Sequence, residues 1–164
     1  MRKIVVVGIG GAGRTGWADA LGTRLGLPVT HLDTLYHREE RSTTPAEEFA
    51  DAQRTLIADP DWILVGNHAP TLALRLTAAD TVVFLDISAP AAITDLLARR
   101  RHPEPGDLDG ANPSVLRSVL AYRHAVRPRL RRLITEHTGS GTSVHTFTTH
   151  GAATRWLAAL PAAP

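Results

Sequence analysis

The chain has 164 residues, 43% of them apolar, a formal net charge of +2 and no cysteine. This is one domain's length of chain, 1–164, able to bury a core, and it excludes disulfide and thiolate chemistry. No apolar run reaches the roughly 18–20 residues of a membrane span, and a first strand starting at Lys3 leaves no room for a signal peptide, so the expectation is a soluble protein of the cytoplasm.

Ile4–Val7 is a β-branched run ended by glycine, which predicts a buried strand. A glycine-rich turn follows, Gly8 to Gly13. Thr15 to about Leu25 predicts a helix with Trp17, Leu21 and Leu25 on one face, ended by Gly26-Leu27-Pro28. Val29–Leu32 predicts a second strand ending at Asp33. Thr44-Pro45-Ala46-Glu47 is a capped helix start with proline in the first turn and Glu47 completing a capping box. That helix runs to about Ala58, where Asp59-Pro60-Asp61 breaks it. Trp62–Val65 is a third strand, followed by Gly66-Asn67, and Thr81–Leu85 a fourth, ending at Asp86. Ala89–Arg101 reads as a helix, His102–Asn112 as a loop, and Pro113–His137 as a long helix kinked before Pro128. Ser143–Phe147 is a last strand and Gly151–Leu160 a last helix. This alternation predicts a parallel sheet covered by helices on both faces. Trp17, Trp62 and Trp156 are assigned to the core.

The glycine turn fits two patterns. Gly8, Gly10 and Gly13 spell the dinucleotide fingerprint, while Gly8, Gly13, Arg14 and Thr15 spell a phosphate loop with arginine in the lysine position. Asp33, 20 residues after Gly13, suits the ribose of the first reading. Arg14-Thr15 decides for the second: a phosphate loop needs a cation for the terminal phosphates and then a hydroxyl for Mg²⁺. Lys3, the one lysine, stands at the other end of the strand and cannot substitute. The sequence therefore assigns Gly8, Gly10, Gly11, Gly13, Arg14 and Thr15 to phosphate binding.

Val29–Tyr36 (VTHLDTLY), Trp62–Asp86, Arg99–Arg101 and Tyr122–Leu133 (YRHAVRPRLRRL) follow this loop in order. Together these segments resemble, over Lys3 to about Leu160, a family of small adenylate-kinase-like P-loop proteins often labelled DNA topology modulation or FlaR-like proteins. The resemblance implies a nucleoside-monophosphate-kinase-like P-loop NTPase fold, a five-stranded parallel sheet of order 2-3-1-4-5 with a short lid at about 102–112. It also implies phosphoryl transfer from ATP, with Mg²⁺, to a small acceptor. Three residues depart from that family's pattern. Arg14 replaces the loop lysine, Val65 stands where an aspartate helps hold hydrated Mg²⁺, and Pro70 stands where an arginine grips the acceptor's phosphate.

Candidate roles follow, each beside a plainer one. Asp33 can orient or deprotonate an acceptor hydroxyl, or pair locally. Thr15 can ligate Mg²⁺. Asp86 can hold it through water, or cap a helix. Asn67 and His68 lie in the loop expected to meet the acceptor, Asn67 bonding a base or sugar and His68 titrating near neutral pH or lying solvated. Arg75 lines the acceptor pocket or the polar face of a short helix. Of Arg99–Arg101, Arg101 is taken as the lid arginine that closes on the transferring phosphate; the plainer role is a solvated helix end. Arg123 and Arg127, four apart on one helix face, are further substrate-binding candidates, whereas Arg131 and Arg132 are assigned to the surface. His31 and Asp33 fall on one strand face but lack a third metal ligand.

The leading expectation is a phosphotransferase acting on a nucleoside or nucleotide, with ATP and Mg²⁺ as donor, monomeric or homodimeric, without a membrane partner. Arg14 and Arg101 would neutralise charge in its transition state. The alternatives are a nucleoside-monophosphate phosphatase built on the same fold with a weakened ATP and metal site, and a non-catalytic nucleotide-binding protein. Nucleic-acid binding ranks last. Seventeen of the 18 basic residues are arginine, nine of them between Arg99 and Arg132, but few aromatics are interleaved for stacking on bases.

Overall fold

The apolar N-terminal run is the middle of the sheet. In the computed structural model, which describes residues 1–9, 13–36, 45–88, 90–91, 94 and 122–163, β1 (Lys3–Gly8) pairs in parallel with β3 (Trp62–Val65) on one side and β4 (Thr81–Leu85) on the other. Val5 lies opposite Leu64 and Val82, so three hydrocarbon runs stack side by side and bury both faces. β2 (Val29–His31) adds to β3, and β5 (Ser143–Phe147) adds to β4, giving the order β2-β3-β1-β4-β5. The two edge strands are the more exposed ones.

Helices close both faces. α1 (Arg14–Leu25) buries Trp17, Ala18 and Leu21; Leu25 packs at the margin of the core. α3 (Ala46–Ala58) buries Phe49, and α4 (Ala69–Ala78) buries Leu72 and Leu76. A π-helical turn, Tyr122–Val126, leads into α5 (Arg127–His137), which buries Leu130 and Ile134. The change of helical pitch falls just before Pro128, the position of the expected kink. α6 (His150–Ala159) starts on Thr149, whose hydroxyl accepts from the Ala152 amide. Trp17 stacks on Trp156 at 6.1 Å, with Phe147 against the same ring at 5.4 Å, which ties α1, α6 and β5 together. Trp17 and Trp62 are buried as expected, and Trp156 is half-buried.

The second strand is shorter than its sequence implies. It stops at His31, and Leu32–Tyr36 forms a short helix, α2, with Asp33 in its first turn. Thr34 donates to the His31 carbonyl there. α3 starts one residue later than the capping box predicts, after Pro45, while Thr44 lies outside the described residues. The expected helix at 89–101, the lid at 102–112 and the start of the long helix also lie outside them. No helix among the described residues is long and apolar enough to cross a membrane.

Candidate functional site

Parallel strands deliver their C-terminal ends to one edge, and the crevice there is where such sheets bind ligands. β1 ends at Gly8, φ +147°, where a Cβ would run into the Leu85 carbonyl of β4. Past Ile9, the next described residue, Gly13 (φ +78°), opens α1 with no side-chain cap and no acidic residue in the first turn. The first amides of a helix have no intrahelical acceptor, and they carry the positive end of its dipole. An uncapped start of this kind suits phosphate. Gly8, Gly13 and exposed Thr15 thus frame the turn; Gly10 and Gly11 lie outside the described residues.

Asn67, just past β3, ties its side-chain amide to the start of the turn. The Gly8 amide donates to Asn67 Oδ1 at 2.9 Å, and Asn67 Nδ2 donates to the Gly8 carbonyl at 2.6 Å. This two-way clamp fixes the start of the turn. To the base or sugar contact expected of Asn67 the structure adds this second role, each polar end of the side chain giving one bond to the turn.

Arg14 is 7% exposed and reaches from the start of α1 to Asp33 and back to Gly8. Nη2 donates to Asp33 Oδ2 at 2.8 Å and Nη1 to the Gly8 carbonyl at 3.3 Å. Burial lowers its pKa, and the Asp33 charge opposes the shift. Asp33 keeps 65% of its side chain exposed. α2 reaches this position because Gly66, φ +151°, has no side chain to push Leu32 away.

Arg75 is corrected from pocket lining to scaffold. It is 0% exposed and donates to the carbonyls of Gly66, at 2.9 Å, and His68, at 3.3 Å. It braces the loop between β3 and α4 from behind. Burial, reinforced by the charge of Arg14, pushes its pKa down to about 9, so it stays charged at neutral pH. His68 lines the cleft, edge-on to Phe49 at 4.6 Å with Nδ1 3.3 Å from the Thr71 hydroxyl. Burial and then Arg75 lower its pKa. Arg14, Asp33, Asn67, His68 and Arg129 meet around an open cleft of about 660 Å³, whose apolar walls include Pro70, Val126 and Leu130.

Arg123 and Arg127 do not join that cleft. They line a second cavity, about 150 Å³, on the β4–β5 side, with Ile9, Ser88, Tyr122 and Thr148. Asp86 sits in its wall with a fully buried carboxylate. Arg127 forks onto it, Nε to Oδ1 at 2.5 Å and Nη2 to Oδ2 at 2.9 Å, and Arg131 Nη2 adds a third bond to Oδ2 at 2.9 Å. Arg131 is at the surface, as expected, and from there also pairs with Asp86. One sequence expectation changes here. Asp86 is not open to a metal, because two guanidiniums hold its oxygens. With Val65 at the end of β3 and Asp33 on Arg14, the described donor set does not fit a protein-held Mg²⁺ site, and no group of three metal-binding side chains occurs among the described residues. Thr15 is the one predicted metal ligand left exposed. Arg101 lies outside the described residues.

No protein-family model matches the chain, and no curated protein is significantly similar to it in sequence. Its backbone, however, is similar to solved kinases. A shikimate kinase from Bacteroides thetaiotaomicron superposes with a TM-score of 0.57 at 15% identity, covering 94% of this chain and 93% of that one. A shikimate kinase from Acinetobacter baumannii, in complex with shikimate, gives 0.57 at 19% identity over 96% and 89%. The chain has the P-loop, nucleoside-monophosphate-kinase-like fold. The strand order expected from the sequence resemblance is the observed one.

Sequence reasoning missed three contributors. Arg131 had a signal: it continues the spacing of four from Arg123 through Arg127. Tyr122, whose buried hydroxyl has no partner among the described residues, and the Asn67 clamp had none, since they depend on strands and helices far apart in the chain.

Proposed function

We infer that this protein is a phosphotransferase that moves a phosphoryl group from ATP to a small hydroxyl or phosphate compound, a nucleoside or nucleotide by first preference. The observation that carries this reading is the exposed Asp33 carboxylate, held by Arg14 in an open cleft beside the uncapped start of α1. That arrangement sets a candidate base and a cation next to a phosphate-binding helix end, and phosphoryl transfer is mostly positioning and charge neutralisation. The motif order resembling the DNA topology modulation family supports the same reading, as does the kinase fold.

ATP supplies the γ-phosphoryl group. Asp33 takes the proton of the acceptor hydroxyl as that oxygen bonds phosphorus and the bond to the bridging oxygen of ADP breaks. The α1 amides and Arg14 balance charge on the phosphoryl oxygens. Arg129 and His68 shape the acceptor side. Phosphorus NMR tests this with purified protein, ATP, Mg²⁺, and a pool of nucleosides, their monophosphates and shikimate. A new phosphorylated species growing as ATP falls is expected. Free phosphate from a monophosphate with ATP untouched would replace transfer by hydrolysis, and spectra unchanged over hours would leave only binding.

A further inference from the structure

We propose that Gln53 and Thr71 are positioning residues that fix the His68 imidazole as its Nε2–H tautomer, which puts a hydrogen-bond donor, not a second base, on the wall of the acceptor cleft. The use of that donor by an acceptor rests on the phosphotransferase reading above; the tautomer itself does not.

Side chains from α3, α4 and the loop between β3 and α4 form one chain of hydrogen bonds. Gln53, fully buried in α3, stands at its far end. Its amide meets the Phe49 carbonyl, one turn back, at 3.1 Å. A carbonyl only accepts, so the nitrogen end must face it. The second hydrogen of Nε2 goes to Thr71 Oγ1 at 2.9 Å. Thr71 therefore accepts from Gln53 and has its own hydroxyl proton to place. Two acceptors are in reach, the His68 carbonyl at 3.4 Å and His68 Nδ1 at 3.3 Å. The carbonyl already takes the Thr71 amide and Arg75 Nη2, each at 3.3 Å, and it has two lone pairs. The hydroxyl proton thus goes to Nδ1. The opposite arrangement, a proton on Nδ1, would leave a buried hydroxyl without an acceptor.

When Nδ1 accepts, a neutral imidazole carries its hydrogen on Nε2. Burial and then Arg75 lower the His68 pKa, which favours that neutral form. Phe49 meets the ring edge-on at 4.6 Å. His68 lines the cleft with Asp33, so its contribution there is an N–H, and Asp33 is left as the base. The chain has a cost that plain core packing would avoid. Gln53 Oε1 is buried with no partner among the described residues, whereas an apolar side chain would leave nothing unpaired. What its nitrogen does for Thr71 accounts for the carboxamide.

Heteronuclear NMR of the whole chain with nitrogen-labelled histidines, at pH 8, reads the tautomer directly; His68 is assigned by its absence from His68→Gln. The expected wild-type spectrum has Nδ1 unprotonated and Nε2 protonated, and Thr71→Ser keeps it. Thr71→Val, and separately Gln53→Met, should move both nitrogens toward the averaged values of mixed tautomers. A wild type with Nδ1 protonated, or with averaged nitrogens, overturns the inference, and so does a Thr71→Val spectrum identical to wild type. If the variants fail to fold, the wild-type spectrum decides. With the acceptor that becomes phosphorylated in the phosphorus NMR pool, Thr71→Val should raise KM about 3–10-fold and change kcat less, with Thr71→Ser restoring it. An unchanged KM overturns the donor's role toward the acceptor. Absence of transfer to any acceptor overturns the phosphotransferase reading and leaves the tautomer to the spectra.

Discussion

Arg14 is where the sequence pattern and the coordinates meet. A lysine in its place would keep the charge but lose the fork that reaches Asp33 and the Gly8 carbonyl together. Arg14→Lys is therefore expected to slow transfer by about 10–10²-fold, not to restore a weakened enzyme. Steady-state rates check it; a faster variant would mean that the guanidinium is a degraded lysine. Asp33→Asn keeps the shape and removes the base, so a loss of about 10²–10⁴-fold in turnover is expected. An unchanged rate would remove Asp33 from the chemistry. His68 sets a pH dependence. Its folded pKa lies below the ordinary value of 6.5, so the unfolded chain binds the proton more tightly. Its contribution to stability is present above 6.5 and is lost as pH falls through the lowered folded value. Melting temperatures from pH 8 to 5 should fall less steeply in His68→Gln than in the wild type; parallel curves would contradict the assignment.

The β3–α4 unit is held by a buried arginine as well as by apolar packing. Arg75 gives the Gly66 and His68 carbonyls their donors, and no water reaches it. Arg75→Ala leaves a cavity and takes its donor from the Gly66 carbonyl, while the His68 carbonyl keeps the Thr71 amide, an expected loss of about 2–4 kcal/mol in urea unfolding. Arg75→Met refills the space and should lose less, which separates packing from hydrogen bonding. If both variants unfold at the wild-type midpoint, the brace is not needed. Such long-range contacts mark the limit of the sequence. Trp62–Val65, Thr81–Leu85 and Ser143–Phe147 were legible as strands because each is a run bounded by residues that break it. The end of β2 was not, since Leu32 is as apolar as a strand residue and turns into α2 only where Gly66 makes room. The glycines at the two ends of the turn, Gly8 and Gly13, were legible from local spacing. The partners of its neighbours were not: Gly8 meets Asn67 across 59 positions, and Asp86 meets Arg127 across 41. Local propensity carries no information about those pairings.

At the scale of the molecule, the question is what so many arginines do. A nucleic-acid surface needs guanidiniums that are free to meet phosphates along a track. The described arginines are largely committed within the chain. Arg2 pairs with Asp61, Arg54 with Asp51 and Arg132 with Glu136, while Arg127 and Arg131 share Asp86. Arg24 donates to the Ala158 and Leu160 carbonyls, fastening α1 to the end of α6. The exposed pairs add little stability, but each cancels a charge that a duplex would otherwise attract. With a net charge of only +2 over the whole chain, counterion release has few contacts to draw on. Fluorescence anisotropy with a labelled DNA duplex at physiological salt should therefore show binding no tighter than about 10⁻⁴ M, the weak end of non-specific affinity. A dissociation constant near 10⁻⁶ M, falling steeply as salt is lowered, would mean that the arginines outside the described residues form such a track, and the protein would have to be read as a nucleic-acid binder on a kinase fold.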